Sequence, residues 1–119
     1  MIIHQIQRNI FPGAVIPKPR SNKSYIVKGW GTSRGESALV YLTPKKPGSK
    51  KQASKRIRVS DFRKAHSVLI STGEFTREWF NKNLPDCAKD GGCNFTTIGG
   101  IFVLLRIAEY IGEGIYSLK

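Results

Sequence analysis

KKPGSKKQASKRIR, residues 45–58, sets how the rest of the chain is read. Seven cations stand in it, Lys45, Lys46, Lys50, Lys51, Lys55, Arg56 and Arg58, with no acid and almost nothing apolar. Pro47, Gly48 and Ser49 at its centre deny it helix and strand, so residues 44–56 read as an exposed, solvated loop. Ile57 and Val59 then alternate with Arg56 and Arg58, which suggests a short strand leaving the loop. The run divides the 119 residues into a basic β-rich half, 1–59, and a helical half, 60–119, of one expected domain.

Upstream, Ser24–Trp30 (SYIVKGW) and Ser37–Thr43 (SALVYLT) are rich in β-branched and aromatic residues and read as strands. Glycines 29, 31 and 35 between them read as a hairpin connection. Their spacing is not a dinucleotide fingerprint, because the next element is another strand and not a helix. Residues 1–19 are ambiguous: Ile2, Ile6 and Ile10 sit at helical spacing, while Ile2, His4 and Ile6 allow a strand. Pro12, Pro17 and Pro19 favour an extended, edge-like run.

Downstream, three helices are expected. Ser60 is a good N-cap for the first, Phe62, Ala65 and Leu69 line one face of it, and Gly73 closes it. The second starts at Thr76, with Phe75 and Phe80 placed as a hydrophobic staple and Pro85 at its end. The third is expected over Phe95–Ile111, capped by Asn94 or Thr96. It is apolar almost all round (Ile98, Ile101, Phe102, Leu104, Leu105, Ile107, Ala108) and therefore buried. Gly112 and Gly114 end it, and Ile115–Leu118 forms a last strand. The expected fold class is α+β: an N-terminal antiparallel sheet of short strands, three helices, and a C-terminal strand that returns to that sheet.

The formal charge of +12 is distributed unevenly. Residues 1–59 hold thirteen Lys/Arg against one acid, Glu36, whereas residues 60–119 hold seven of each sign. A half so charged attracts polyanions, and the attraction weakens with salt. Nucleic acid fits better than a membrane surface, because no stretch has the length of a span and no apolar helical face adjoins the basic run. The N-terminus lacks the pattern of a secretory signal, so a cytoplasmic location is expected, with Cys87 and Cys93 reduced.

The order of helix, short turn over Gly73–Phe75, helix, loop over Pro85–Cys93, helix and terminal strand resembles a winged helix-turn-helix domain across residues 60–119. The resemblance implies a third helix that recognises nucleic acid and exposes Asn94, Thr96, Thr97 and Arg106. Read on its own residues, the small face Thr96, Gly99, Gly100, Val103 and Arg106 suits close approach to a phosphate backbone or to a neighbouring helix, and core packing is favoured over recognition.

Chemistry beyond binding has thin support. Cys87 and Cys93 are too widely spaced for a short zinc hook and lack a second pair, so no metal and no cofactor are expected. The eight acids are scattered singly, and no nucleophile–base–acid order occurs. The expected function is non-catalytic binding of nucleic acid, duplex DNA ahead of RNA, mainly through phosphates. Lys45–Arg58 would supply cations, Lys28 and Arg34 more of them, and Trp30 a stacking surface. The alternatives are a module that docks an acidic protein or forms a homodimer, and a small metal-dependent nuclease.

Overall fold

The N-terminus departs first from expectation. In the computed structural model, which describes residues 1–119, Ile2–Asn9 is a helix (α1). Ile2, Ile3 and Ile6 lie buried on one face of it against the helical half, and Ile10 follows just beyond. The prolines come after the last turn, where they stop a helix without breaking one.

Four antiparallel strands follow in sheet order β1 (Val15–Ile16), β2 (Tyr25–Ser33), β3 (Glu36–Leu42) and β4 (Ser54–Arg58). The β2–β3 turn is shorter than the glycines suggest. It consists of Arg34 and Gly35 alone, at φ 49° and 80° between the pair Ser33 and Glu36. Two successive positive φ angles give the twist that a two-residue hairpin needs. Gly29 instead adjoins a bulge at Lys28, where the register shifts.

β4 runs straight into α2 (Val59–Thr72), and Ser60 is not its cap. The Glu36 carboxylate, brought over from β3, accepts from the Ser60 backbone N–H (2.8 Å) and from the Ser60 hydroxyl (3.0 Å). Those bonds, the backbone one above all, hold the Glu36 carboxyl below its usual range. Asp61 does more than complement the helix dipole: it is buried and pairs with Arg58 at 3.3 Å.

Gly73, at φ 85°, ends α2 as expected. A short strand, β5 (Glu74–Thr76), leads to α3 (Arg77–Asn83), whose cap is the Thr76 hydroxyl accepting from Trp79 N–H at 3.1 Å. The expected staple is present, with the Phe75 and Phe80 rings 6.4 Å apart. The expected loop after Pro85 contains a further helix, α4 (Pro85–Asp90), which uses the proline in its first turn, where the missing N–H costs nothing.

The last long helix, α5 (Asn94–Leu104), is shorter than expected. The side chains of Asn94 and Thr96 do not cap it. Arg106, at φ 61°, turns the chain out of the helix, and Ala108–Gly112 becomes strand β6. Leu104 is left exposed, and Leu105 and Ile107 half-buried. β7 (Ile115–Leu118) does not return to the first sheet. It lies between β5 and β6 in a second, three-stranded antiparallel sheet. The architecture is thus α+β with two sheets, and no helix is long and apolar enough to cross a membrane.

One core of 22 buried residues draws on both halves. Phe75 is at its aromatic centre, 4.9 Å from the Phe95 ring and 6.0–6.3 Å from Phe102 and Tyr116. The halves also share a buried polar contact: the Tyr41 hydroxyl of β3 donates to Asn94 Oδ1, and Asn94 Nδ2 donates to the Cys87 carbonyl at 2.9 Å. α5 approaches its neighbours closely only because of two glycines. A Cβ on Gly99 would lie 2.2 Å from the Tyr116 ring, and one on Gly100 2.6 Å from the Pro17 carbonyl.

Candidate nucleic-acid interface

The cations of the first half divide into two sets. Lys45, Lys46, Lys50 and Lys51 all lie on the loop between β3 and β4, exposed and without a side-chain hydrogen bond or ion pair. Backbone bonds shape that loop: Ser49 N–H donates to the Lys46 carbonyl (3.0 Å), and Thr43 N–H donates to the Ala53 carbonyl (3.0 Å) at its base. The Gln52 side-chain amide donates to the Thr43 carbonyl and tightens the base further. Lys28, at the bulge of β2, is likewise exposed, and Trp30 is 37% exposed on the same strand.

The second set serves the fold. Arg34, at the hairpin tip, reaches Asp86 (3.5 Å) and Asp90 (3.3 Å) of α4. Lys55 Nζ donates to the Asp90 carbonyl (2.9 Å), and its methylenes lie where a side chain on Gly91 would have to go. Arg56 donates across the sheet to the Thr32 carbonyl (2.5 Å), and Arg58 is paired with Asp61. Four of the ten basic residues singled out in the sequence, Arg34, Lys55, Arg56 and Arg58, therefore have internal partners. Arg106 is exposed just past the end of α5, in the helical half of the chain.

A groove of about 410 Å³ adjoins the base of the loop, lined by Lys23, Ser24, Thr43, Lys45 and Gln52 among others. Ammonium, hydroxyl and amide groups of this kind contact phosphates without reading bases. Lys23 and Ser24 precede β2 and were not singled out by the charge run.

The face of α5 that would meet a nucleic acid is occupied by the chain itself. Thr97 is buried, and both Thr96 and Thr97 accept hydrogen bonds from Lys18 Nζ, at 2.8 and 2.7 Å. A third bond goes to the Cys93 carbonyl at 3.0 Å, and the ammonium lies 4.1 Å from the centroid of the Tyr25 ring. Burial lowers the Lys18 pKa to about 8, with the nearby Arg77 cation acting in the same direction and Cys93 opposing it. Sequence reasoning passed over Lys18, a single cation between Pro17 and Pro19. The signal was present but faint: two prolines fix the backbone on either side of it, which aims the side chain.

The remaining titratable groups are structural in placement. Burial pushes the Cys87 thiol up to about 12, and Cys93 Sγ lies 3.1 Å from the Tyr41 hydroxyl. His66 is half-buried beside Phe102, and its pKa is lowered by burial first and by the N-terminal ammonium second. No three His, Cys, Asp or Glu side chains converge on one point. The arrangement can attract and hold anions. No family model, no curated protein and no solved structure matches this chain.

Proposed function

We propose that the protein binds nucleic acid without catalysis, duplex DNA ahead of RNA, through phosphate contacts from the β3–β4 loop and the groove at its base. The observation that carries the reading is the set Lys45, Lys46, Lys50 and Lys51: four cations side by side, exposed and unpaired, on a half that holds a single acid. Their mutual repulsion opposes folding, so stability gives no reason for them, whereas a polyanion does. Lys23 and Lys28 extend the positive surface along β2, with Trp30 as an aromatic face for an unstacked base. The second half resembles a winged helix-turn-helix domain in its order of elements. Because Lys18, Pro17 and Tyr116 cover α5, the loop and not that helix is assigned the contact.

Polarisation titrations of a labelled duplex across a salt series test the proposal. The logarithm of the binding constant should fall steeply with the logarithm of salt concentration. Replacing Lys45, Lys46, Lys50 and Lys51 with alanine should flatten that slope by about three to four. No association at low salt, with duplex or single strand, would sink the proposal and leave the loop to the reading in which it docks an acidic protein.

A further inference from the structure

A second concavity, of about 380 Å³, opens where the Lys18–Tyr25 segment meets the starts of α3 and α5 and the tip of the β6–β7 hairpin. Its size falls within the usual range for small-ligand sites. Three cations line it, Lys18, Arg20 and Arg77, against one carboxylate, Glu113. None of those cations has an ion-pair partner.

The cations differ in what they have left to offer. Lys18 has spent its three N–H donors on Cys93, Thr96 and Thr97, so it contributes charge and no direct bond. Arg77 is half-buried, held in place by one bond to the Gly92 carbonyl (3.0 Å) and by the Phe95 ring 4.6 Å below its guanidinium. Four of its five N–H donors remain free on a side chain whose position is already fixed. Arg20 is exposed and unbonded. The Ser21 hydroxyl accepts from Lys23 N–H (3.1 Å), which leaves its own proton to donate. Lys18 and Arg77 repel one another, and part of the depression of the Lys18 pKa comes from that repulsion. An anion in the cleft would relieve it while Lys18 keeps its proton.

We infer that this cleft binds a phosphate monoester, with Arg77 and Arg20 as its guanidinium ligands, Ser21 as a hydroxyl donor and Lys18 as fixed charge behind them. Planar guanidinium groups match the oxygens of a phosphate, and a dianion answers a site of three positive charges and one negative. The phosphate could be that of a free nucleotide or the 5′ end of a strand, which share this chemistry. The inference does not depend on the loop: no residue of Lys45–Lys51 lines this cleft, and Lys45 lines another concavity.

Backbone amide NMR titration of the whole protein distinguishes the possibilities, with inorganic phosphate, adenosine monophosphate, adenosine, and an oligonucleotide with and without a 5′-phosphate as probes. Inorganic phosphate and adenosine monophosphate should shift the amides of Ser21, Thr96 and Gly114, and adenosine should not. Joint replacement Arg20→Gln and Arg77→Gln should weaken adenosine monophosphate binding about tenfold or more. Arg20→Gln alone, at an exposed site without contacts, should weaken it measurably with the fold intact. Glu113→Gln should tighten it, which a merely structural role for that residue would not produce. Binding of the phosphorylated strand without binding of the mononucleotide would name the strand end as the source, and equal binding of both would name the phosphate group alone. The quadruple lysine-to-alanine variant of the loop should bind as the wild type does. Absence of cleft shifts with every phosphate probe, or indifference of binding to both Arg20→Gln and Glu113→Gln, would overturn the inference.

Discussion

Lys18 carries a positive charge into the contact between the two halves, and this has a measurable consequence. In the fold its pKa is about 8, against 10.5 for the free side chain. Between those values the unfolded chain keeps the proton and the folded one has released it, so the contribution of Lys18 to stability rises with pH across that window. Below about pH 8 both states hold the proton and the contribution is flat. The thiol of Cys87 acts in the opposite sense from about pH 9, because its folded pKa is raised. Comparison with Lys18→Met removes that background, since Cys87 is present in both proteins. Relative to Lys18→Met, the wild type should gain about 1 kcal/mol between pH 7 and pH 9, measured by urea unfolding at each pH. A difference that is flat or falls with pH would mean that the ammonium is not desolvated as described.

At the scale of elements, the sequence revealed most where a local rule had no rival. Gly73, Thr76 and the pair Phe75–Phe80 each performed the role their neighbours in sequence imply. Reading failed where a distant partner decided. Glu36 caps α2 from the strand beside β4, which no window around Ser60 contains. Ile2, Ile3 and Ile6 formed a helix because the helical half offered a surface to cover, while the prolines that argued against it lay outside. The tail of the expected third helix was lost at Arg106, a residue type that seldom adopts a left-handed backbone and so gives no warning. Beyond it, Ala108 to Gly112 alternates buried or half-buried with exposed, a period of two hidden under an apolar run. The candidate site was legible as charge, in Lys45–Lys51, and illegible as geometry, because neither the partners of Arg34 and Lys55 nor the cleft at Lys18 is local. The break at Arg106 is itself testable. Arg106→Gly relieves its positive φ at an exposed position and should raise stability by about 0.5–1 kcal/mol in chemical denaturation. Unchanged or lower stability would mean that the arginine side chain holds the turn.

For the molecule as a whole, the uneven charge has not divided it into independent parts. Residues from Ile2 to Tyr116 share one core, and the hairpin tip and β4 are tied to α4 by Arg34 and Lys55. The exposed ion pairs add little to this, since such pairs are each worth under about 1 kcal/mol, and the joint apolar core carries the union. The lysine loop stands outside it. Every residue from Lys45 to Ser54 is exposed, and the loop is closed at its neck by the bond between Thr43 and Ala53. Replacing residues 44–52 with Asn-Gly, which keeps Thr43 opposite Ala53, should leave the fold intact and add about 1 kcal/mol of stability from the shorter closure, as thermal unfolding would show. A marked loss would mean that the neck depends on the loop above it. A segment that can be exchanged in this way is free to vary in length and charge while the core stays fixed. The contact proposed for the loop could therefore be altered without rebuilding the core, in the laboratory or by natural selection.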